Sequence, residues 1–92
     1  MGIFGQFGKM VRLNKDPDQQ QIARLFILAG SSTPKDAVLV AVAIEKFVSD
    51  HGWRGDEAKD RLAHALSLVR VQAPRAVYDN ATEVWRSLVG LT

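Results

Sequence analysis

The chain has 92 residues, of which 47% are hydrophobic and 24% are charged, and this balance is typical of one small globular domain rather than a disordered chain. It contains no cysteine, which excludes disulfides, thiolate catalysis and cysteine-ligated metal centres and fits a reducing cytoplasm, where we expect the protein to act. The longest unbroken apolar run, residues 37–44, is far shorter than the roughly 20 residues of a membrane-spanning helix, and we expect no signal peptide.

The net charge of +2 is unevenly distributed along the chain. Residues 1–15 carry three basic residues and no acid, whereas residues 16–92 carry nine Lys or Arg against ten Asp or Glu, a balance of −1. We therefore divide the chain into a basic N-terminal arm, residues 1–15, and a nearly neutral body, residues 16–92. A neutral body does not favour a broad nucleic-acid interface.

The arm has the pattern of an amphipathic helix that needs a partner. Its apolar side chains recur at helical spacing. They are Ile3, Phe4, Phe7, Met10 and Val11. Three glycines oppose the helix by up to about 1 kcal/mol each, so the arm should fray when it is alone. We interpret the apolar residues as partner-binding, and the arm's three basic residues as electrostatic contacts. The basic residues are Lys9, Arg12 and Lys15.

Three readings of the arm remain open. It could fold back on the protein's own core, dock on another protein or a second copy of the chain, or lie in an anionic membrane interface.

Prolines and capping residues divide the body into four helices. Pro17, Pro34 and Pro74 stand where the first turn of a helix tolerates proline. The predicted helices span residues 17–29, 34–51, 56–71 and 74–89. Asp16 and Thr33 should cap the first two.

Two further local signals refine these boundaries. Gln19 should complete a capping box with Asp16. Glycines close three of the apolar runs, where a left-handed residue ends a helix. They are Gly30, Gly52 and Gly90.

The second predicted helix is apolar nearly all round. Its β-branched run, residues 37–44, could also be a buried strand, but the flanking caps and the helical phase of the residues that follow favour a helix. We expect this helix to be the central element or to be partly covered by another chain, with Leu39 and Val42 among its partner-binding residues. The very short link at residues 72–73 predicts that the third and fourth helices form a tight pair.

The body shows no catalytic constellation. Asp60 and His64 share a helix face, and His51 could approach them, but two ligands do not make a metal site and a simple Asp–His contact explains them equally well. Trp53 follows a glycine in a connection and is either a plug at the edge of the core or an interface anchor. Helix-turn-helix spacing fits poorly, and acids begin the third helix, so the pattern does not favour sequence-specific DNA binding.

The sequence thus predicts an all-α domain of four helices without cofactor or metal. We expect a non-catalytic module or small assembly subunit that binds another protein, or a second copy of itself, through the arm and the spare surface of the second helix. The alternative is a nucleic-acid or anionic-membrane accessory protein that uses the basic arm, whose binding would weaken steeply with salt.

Overall fold

The computed structural model describes residues 15–90, which form four α-helices. The helices are α1 (Pro17–Gly30), α2 (Pro34–Asp50), α3 (Gly55–Gln72) and α4 (Arg75–Gly90). The predicted all-α fold is confirmed, with each helix end within one residue of its predicted place. The run at residues 37–44 is helical throughout, so the strand reading is wrong.

The predicted N-terminal caps are present on α1 and α2. Asp16 Oδ1 accepts a hydrogen bond from the backbone N–H of Asp18 at 2.8 Å. Thr33 Oγ1 accepts one from the N–H of Asp36 at 3.3 Å. Each contact satisfies an N–H that would otherwise lack an intrahelical partner, and this explains why both helices begin where they do.

Only one of the three predicted left-handed glycines has that conformation. Gly52, just after α2, has φ +73°, and Gly55, which opens α3, has φ +58°. The prediction is wrong for Gly30 and Gly90, which lie inside the last turns of α1 and α4. Gly30 serves a different purpose, because a side chain there would collide with the backbone of Val77 on α4.

The central element is α1, which packs against each of the other three helices. It supplies Ile22, Ala23, Phe26 and Ala29 to the core, whereas Ile44 is the only buried residue of α2. The expectation that the second helix is central is therefore wrong. The physical reason is that α1 buries side chains against three helices and, at Gly30, comes close to the backbone of α4. Much of the apolar surface of α2, by contrast, is exposed to solvent.

The other three helices pack against one another to different extents. α3 and α4 pack against each other across the two-residue link Ala73–Pro74, as the short connection predicts. α2 touches α4 to a smaller extent and is not packed along α3, although the two are neighbours in the chain. α2 is consequently attached to the domain mainly through α1.

Candidate functional site

The outer side of α2 concentrates exposed apolar surface. Of the five most exposed large apolar side chains in residues 15–90, three lie on this helix: Val38 at 63%, Leu39 at 68% and Val42 at 58% exposure. The other two, Leu28 on α1 and Val71 on α3, stand singly on their helices. Single exposed apolar residues are ordinary, but a cluster on one helix face marks a candidate binding surface.

Charged residues lie at both ends of this apolar cluster. Lys35 and Glu45 are exposed and are spaced three residues from Val38 and Val42 respectively, so all four share one helix face, with Leu39 beside them. Within residues 15–90, neither Lys35 nor Glu45 takes part in an ion pair or a side-chain hydrogen bond. We call Lys35, Val38, Leu39, Val42 and Glu45 the α2 face.

A groove between α2 and α4 adjoins the α2 face. The small side chains Ala37 and Ala41 of α2 leave a space of about 390 Å³ against Val84 of α4. Val38 lines both the groove and the α2 face, so the two form one continuous surface. The lining also includes polar residues. They are Ser32, Asn80, Glu83 and Ser87.

Trp53 occupies a different place, at the α2–α3 connection. It is half-buried against the core, and the guanidinium of Arg61 lies 4.2 Å from its ring centroid. The His51 ring lies 4.6 Å away and stacks in turn on Phe47 at 4.2 Å. These contacts agree with the core-plug reading. A direct role of Trp53 in partner binding remains a prediction.

A polar cluster joins the start of α1 to α3. Gln19 is fully buried, and its Nε2 donates a hydrogen bond to the backbone carbonyl of Arg61 at 2.9 Å. Arg61 Nη1 donates to Asp16 Oδ2 at 3.2 Å and lies 3.4 Å from Gln19 Oε1. The predicted capping-box role of the Gln19 side chain is therefore wrong, because that side chain crosses to α3.

The environment of Asp16 lowers its pKa. Partial burial acts to raise the pKa of this carboxyl, but hydrogen bonds from the Asp18 N–H and the Arg61 guanidinium, and the charge of Arg61, outweigh it. Asp16 is thus held ionised, and the cluster joins the start of α1 to α3.

The two histidines have different surroundings. His51 Nε2 is 3.3 Å from Asp18 Oδ1 on α1, and its Nδ1 is 2.8 Å from the carbonyl oxygen of Phe47. His64 is half-buried, its Nε2 has no hydrogen-bond partner among the described side chains and backbone, and burial lowers its pKa. The structure directs His51 towards Asp18 and not towards Asp60.

The described part of the chain brings no three His, Asp or Glu side chains together as a metal site would require. Over the same residues, no helix combines the length and apolar character needed to cross a membrane.

The structure describes four of the residues predicted to bind a partner or to make electrostatic contacts. Leu39 and Val42 share the α2 face, Trp53 lies at the α2–α3 connection, and Lys15 is exposed before α1. The remaining arm residues lie outside the described residues. They are Ile3, Phe4, Phe7, Lys9, Met10, Val11 and Arg12.

Sequence reasoning missed three members of the α2 face. Val38 recurs at i,i+4 with Val42, and Lys35 and Glu45 extend the same spacing, so the helical phase of the run carried the signal. What the phase alone could not show is which side of α2 faces the other helices.

Comparison of the chain with known protein families, with curated proteins and with solved structures finds no match.

Proposed function

We propose that this protein is a non-catalytic protein–protein interaction module and that the α2 face is its principal contact surface. One observation carries the proposal: three large apolar side chains of a single helix, Val38, Leu39 and Val42, stand about 60% exposed. Full burial of such a side chain contributes about 1.5–3 kcal/mol, so covering the exposed part of all three would contribute on the order of 3–5 kcal/mol.

That contribution is modest beside the cost of association, which is roughly 4–15 kcal/mol in lost translational and rotational freedom. A useful partner must therefore cover more than these three side chains. The groove beside Val38 offers further apolar surface from Ala37, Ala41 and Val84. We expect a partner to bury the α2 face and this groove together.

The N-terminal arm would add a second contact. We propose that Phe4, Phe7 and Met10 bury against the same partner, as their helical spacing suggests. Removing residues 1–12 should then weaken association while most helicity is retained. Association of undiminished strength after this truncation would restrict the contact surface to the helical domain.

The α2 face is tested by photocrosslinking with a matched control. A photoreactive amino acid replaces Leu39 in one full-length variant and Val71 in another, because both positions are highly exposed and apolar but lie on different helices. We expect a discrete crosslinked species from position 39 that is absent from position 71. Identical patterns at the two positions would contradict a role for the α2 face.

A further inference from the structure

We infer that the partner on the α2 face is a second copy of this chain, with the two α2 helices antiparallel and centred on position 40. This inference rests on the proposed function and deepens it, since it names the partner and the register. It follows from the order of charged and apolar residues along the exposed side of α2. When a second α2 runs in the opposite direction, apolar residues meet apolar residues and opposite charges meet each other.

The register follows from the spacing on the α2 face. Residues 38 and 42 are equally far from position 40, and so are residues 35 and 45. In a two-fold symmetric pair a contact between two positions occurs twice, once in each direction. Antiparallel pairing at this centre therefore places Val38 against the partner's Val42 and Lys35 against the partner's Glu45.

The charges favour this arrangement over its alternative. In a parallel pair, Lys35 would meet the partner's Lys35 and Glu45 the partner's Glu45, which places like charges together at both ends. Both side chains are exposed and form no ion pair within residues 15–90, so they are free to pair across an interface. The neighbouring Lys46 is already paired with Asp50 at 2.9 Å within α2.

The position of Lys35 supports an intermolecular role. It lies in the first turn of α2, where the helix dipole favours acidic side chains such as Asp36. A lysine there does not help the isolated helix, whereas it supplies the positive end of a self-complementary surface.

The size of the surface sets the expected strength. The α2 face extends from Lys35 to Glu45, about 16 Å of helix at 1.5 Å per residue. One helix pair of that length buries less than a standard interface of about 1,600 Å². We therefore expect a concentration-dependent dimer with a dissociation constant of roughly 10–1,000 µM.

Sedimentation equilibrium of the full 92-residue chain over a concentration series tests this arrangement. Lys35→Glu and Glu45→Lys should each weaken dimerisation by about tenfold or more, because each places like charges in both contacts. An equimolar mixture of the two variants should dimerise again within about threefold of the original chain, since every contact then joins opposite charges. The doubly substituted K35E/E45K chain should do the same.

Lys59→Glu is the matched control for Lys35→Glu, because Lys59 is exposed on α3 and both substitutions replace a lysine with a glutamate. Circular dichroism should show unchanged helicity in every variant. A chain that stays monomeric up to about 1 mM, equal effects of K35E and K59E, or no recovery in the mixture would each overturn the inference. A crosslink from position 39 to a different protein would then show that the interaction module survives without self-association.

Discussion

Replacing Gly30 with alanine should separate α1 from α4. The added methyl group would lie inside van der Waals contact with the carbonyl oxygen of Val77 and 3.0 Å from its Cγ1. A backbone atom cannot turn aside as a flexible side chain can, so the two helices must move apart. The same movement would stretch the hydrogen bond from Asn80 Nδ2 to the Gly30 carbonyl, which is 3.1 Å long.

The magnitude follows from three contributions. Overpacking of this kind costs about 1–3 kcal/mol, and the loss of a hydrogen bond costs about 0.5–1.5 kcal/mol. Alanine gains up to about 1 kcal/mol over glycine in a helix interior, and less at the last residue of α1. We therefore expect Gly30→Ala to lower the free energy of unfolding by about 2–3 kcal/mol, which corresponds to a fall in Tm of about 10–20 °C.

Urea unfolding followed by circular dichroism measures this change, with Gly90→Ala as the control. A Cβ at Gly90 meets nothing within 4 Å, so that variant should lie within about 0.5 kcal/mol of the original chain. Equal stability of the Gly30→Ala and Gly90→Ala variants would refute the close approach of α1 and α4.

Three further substitutions follow from the core and the titratable groups. Ile44→Ala should lower the free energy of unfolding by about 2–5 kcal/mol, because Ile44 is the only fully buried residue that α2 contributes. Arg61→Ala should cost about 1–2 kcal/mol at pH 7, since its partly exposed contacts with Asp16 and Gln19 are lost. It should also reduce the loss of stability at low pH. Arg61 helps to lower the Asp16 pKa, and this lowered pKa stabilises the folded state above the unfolded pKa near 3.9, an effect that is lost as the pH falls further. The original chain should lose stability as the pH falls below about 6.5, because burial lowers the His64 pKa and protonation then favours the unfolded state, and His64→Leu should remove this loss.

Urea titrations at several pH values check all three substitutions. An Ile44→Ala variant as stable as the original chain would mean that α2 is held by other contacts. If Arg61→Ala loses stability at low pH as the original chain does, the pKa of Asp16 does not depend on the Arg61 guanidinium. A decline below pH 6.5 that persists in His64→Leu would assign it to another group.

The helix boundaries could be predicted from the sequence because capping residues and prolines act on the backbone immediately beside them. A side-chain oxygen at Asp16 or Thr33 and a proline immediately after it specify where a helix starts, whatever the rest of the chain does. The helical phase of the apolar residues then extends each helix to its end.

The arrangement of the helices was not readable in the same way. The apolar content of α2 suggested a central helix, but apolar residues on all sides do not say which side other helices cover. The central position of α1 depends on the close approach of Gly30 to Val77 and on the contact of Gln19 with Arg61, both of which join residues more than forty positions apart. The α2 face was only partly predicted for the same reason.

The attachment of α2 has a consequence for how the domain opens. Ile44 is the only fully buried side chain of α2, and Val40, Phe47 and Val48 pack against the core only in part. Two glycines in left-handed conformations, Gly52 and Gly55, lie where the chain passes from α2 to α3. Because α2 contributes fewer fully buried side chains than α1, its amides should exchange with solvent through partial opening, whereas amides of α1 should exchange only when the whole domain unfolds. A partner bound to α2 would slow that exchange in proportion to its occupancy, and the least protected helix would become a direct reporter of binding.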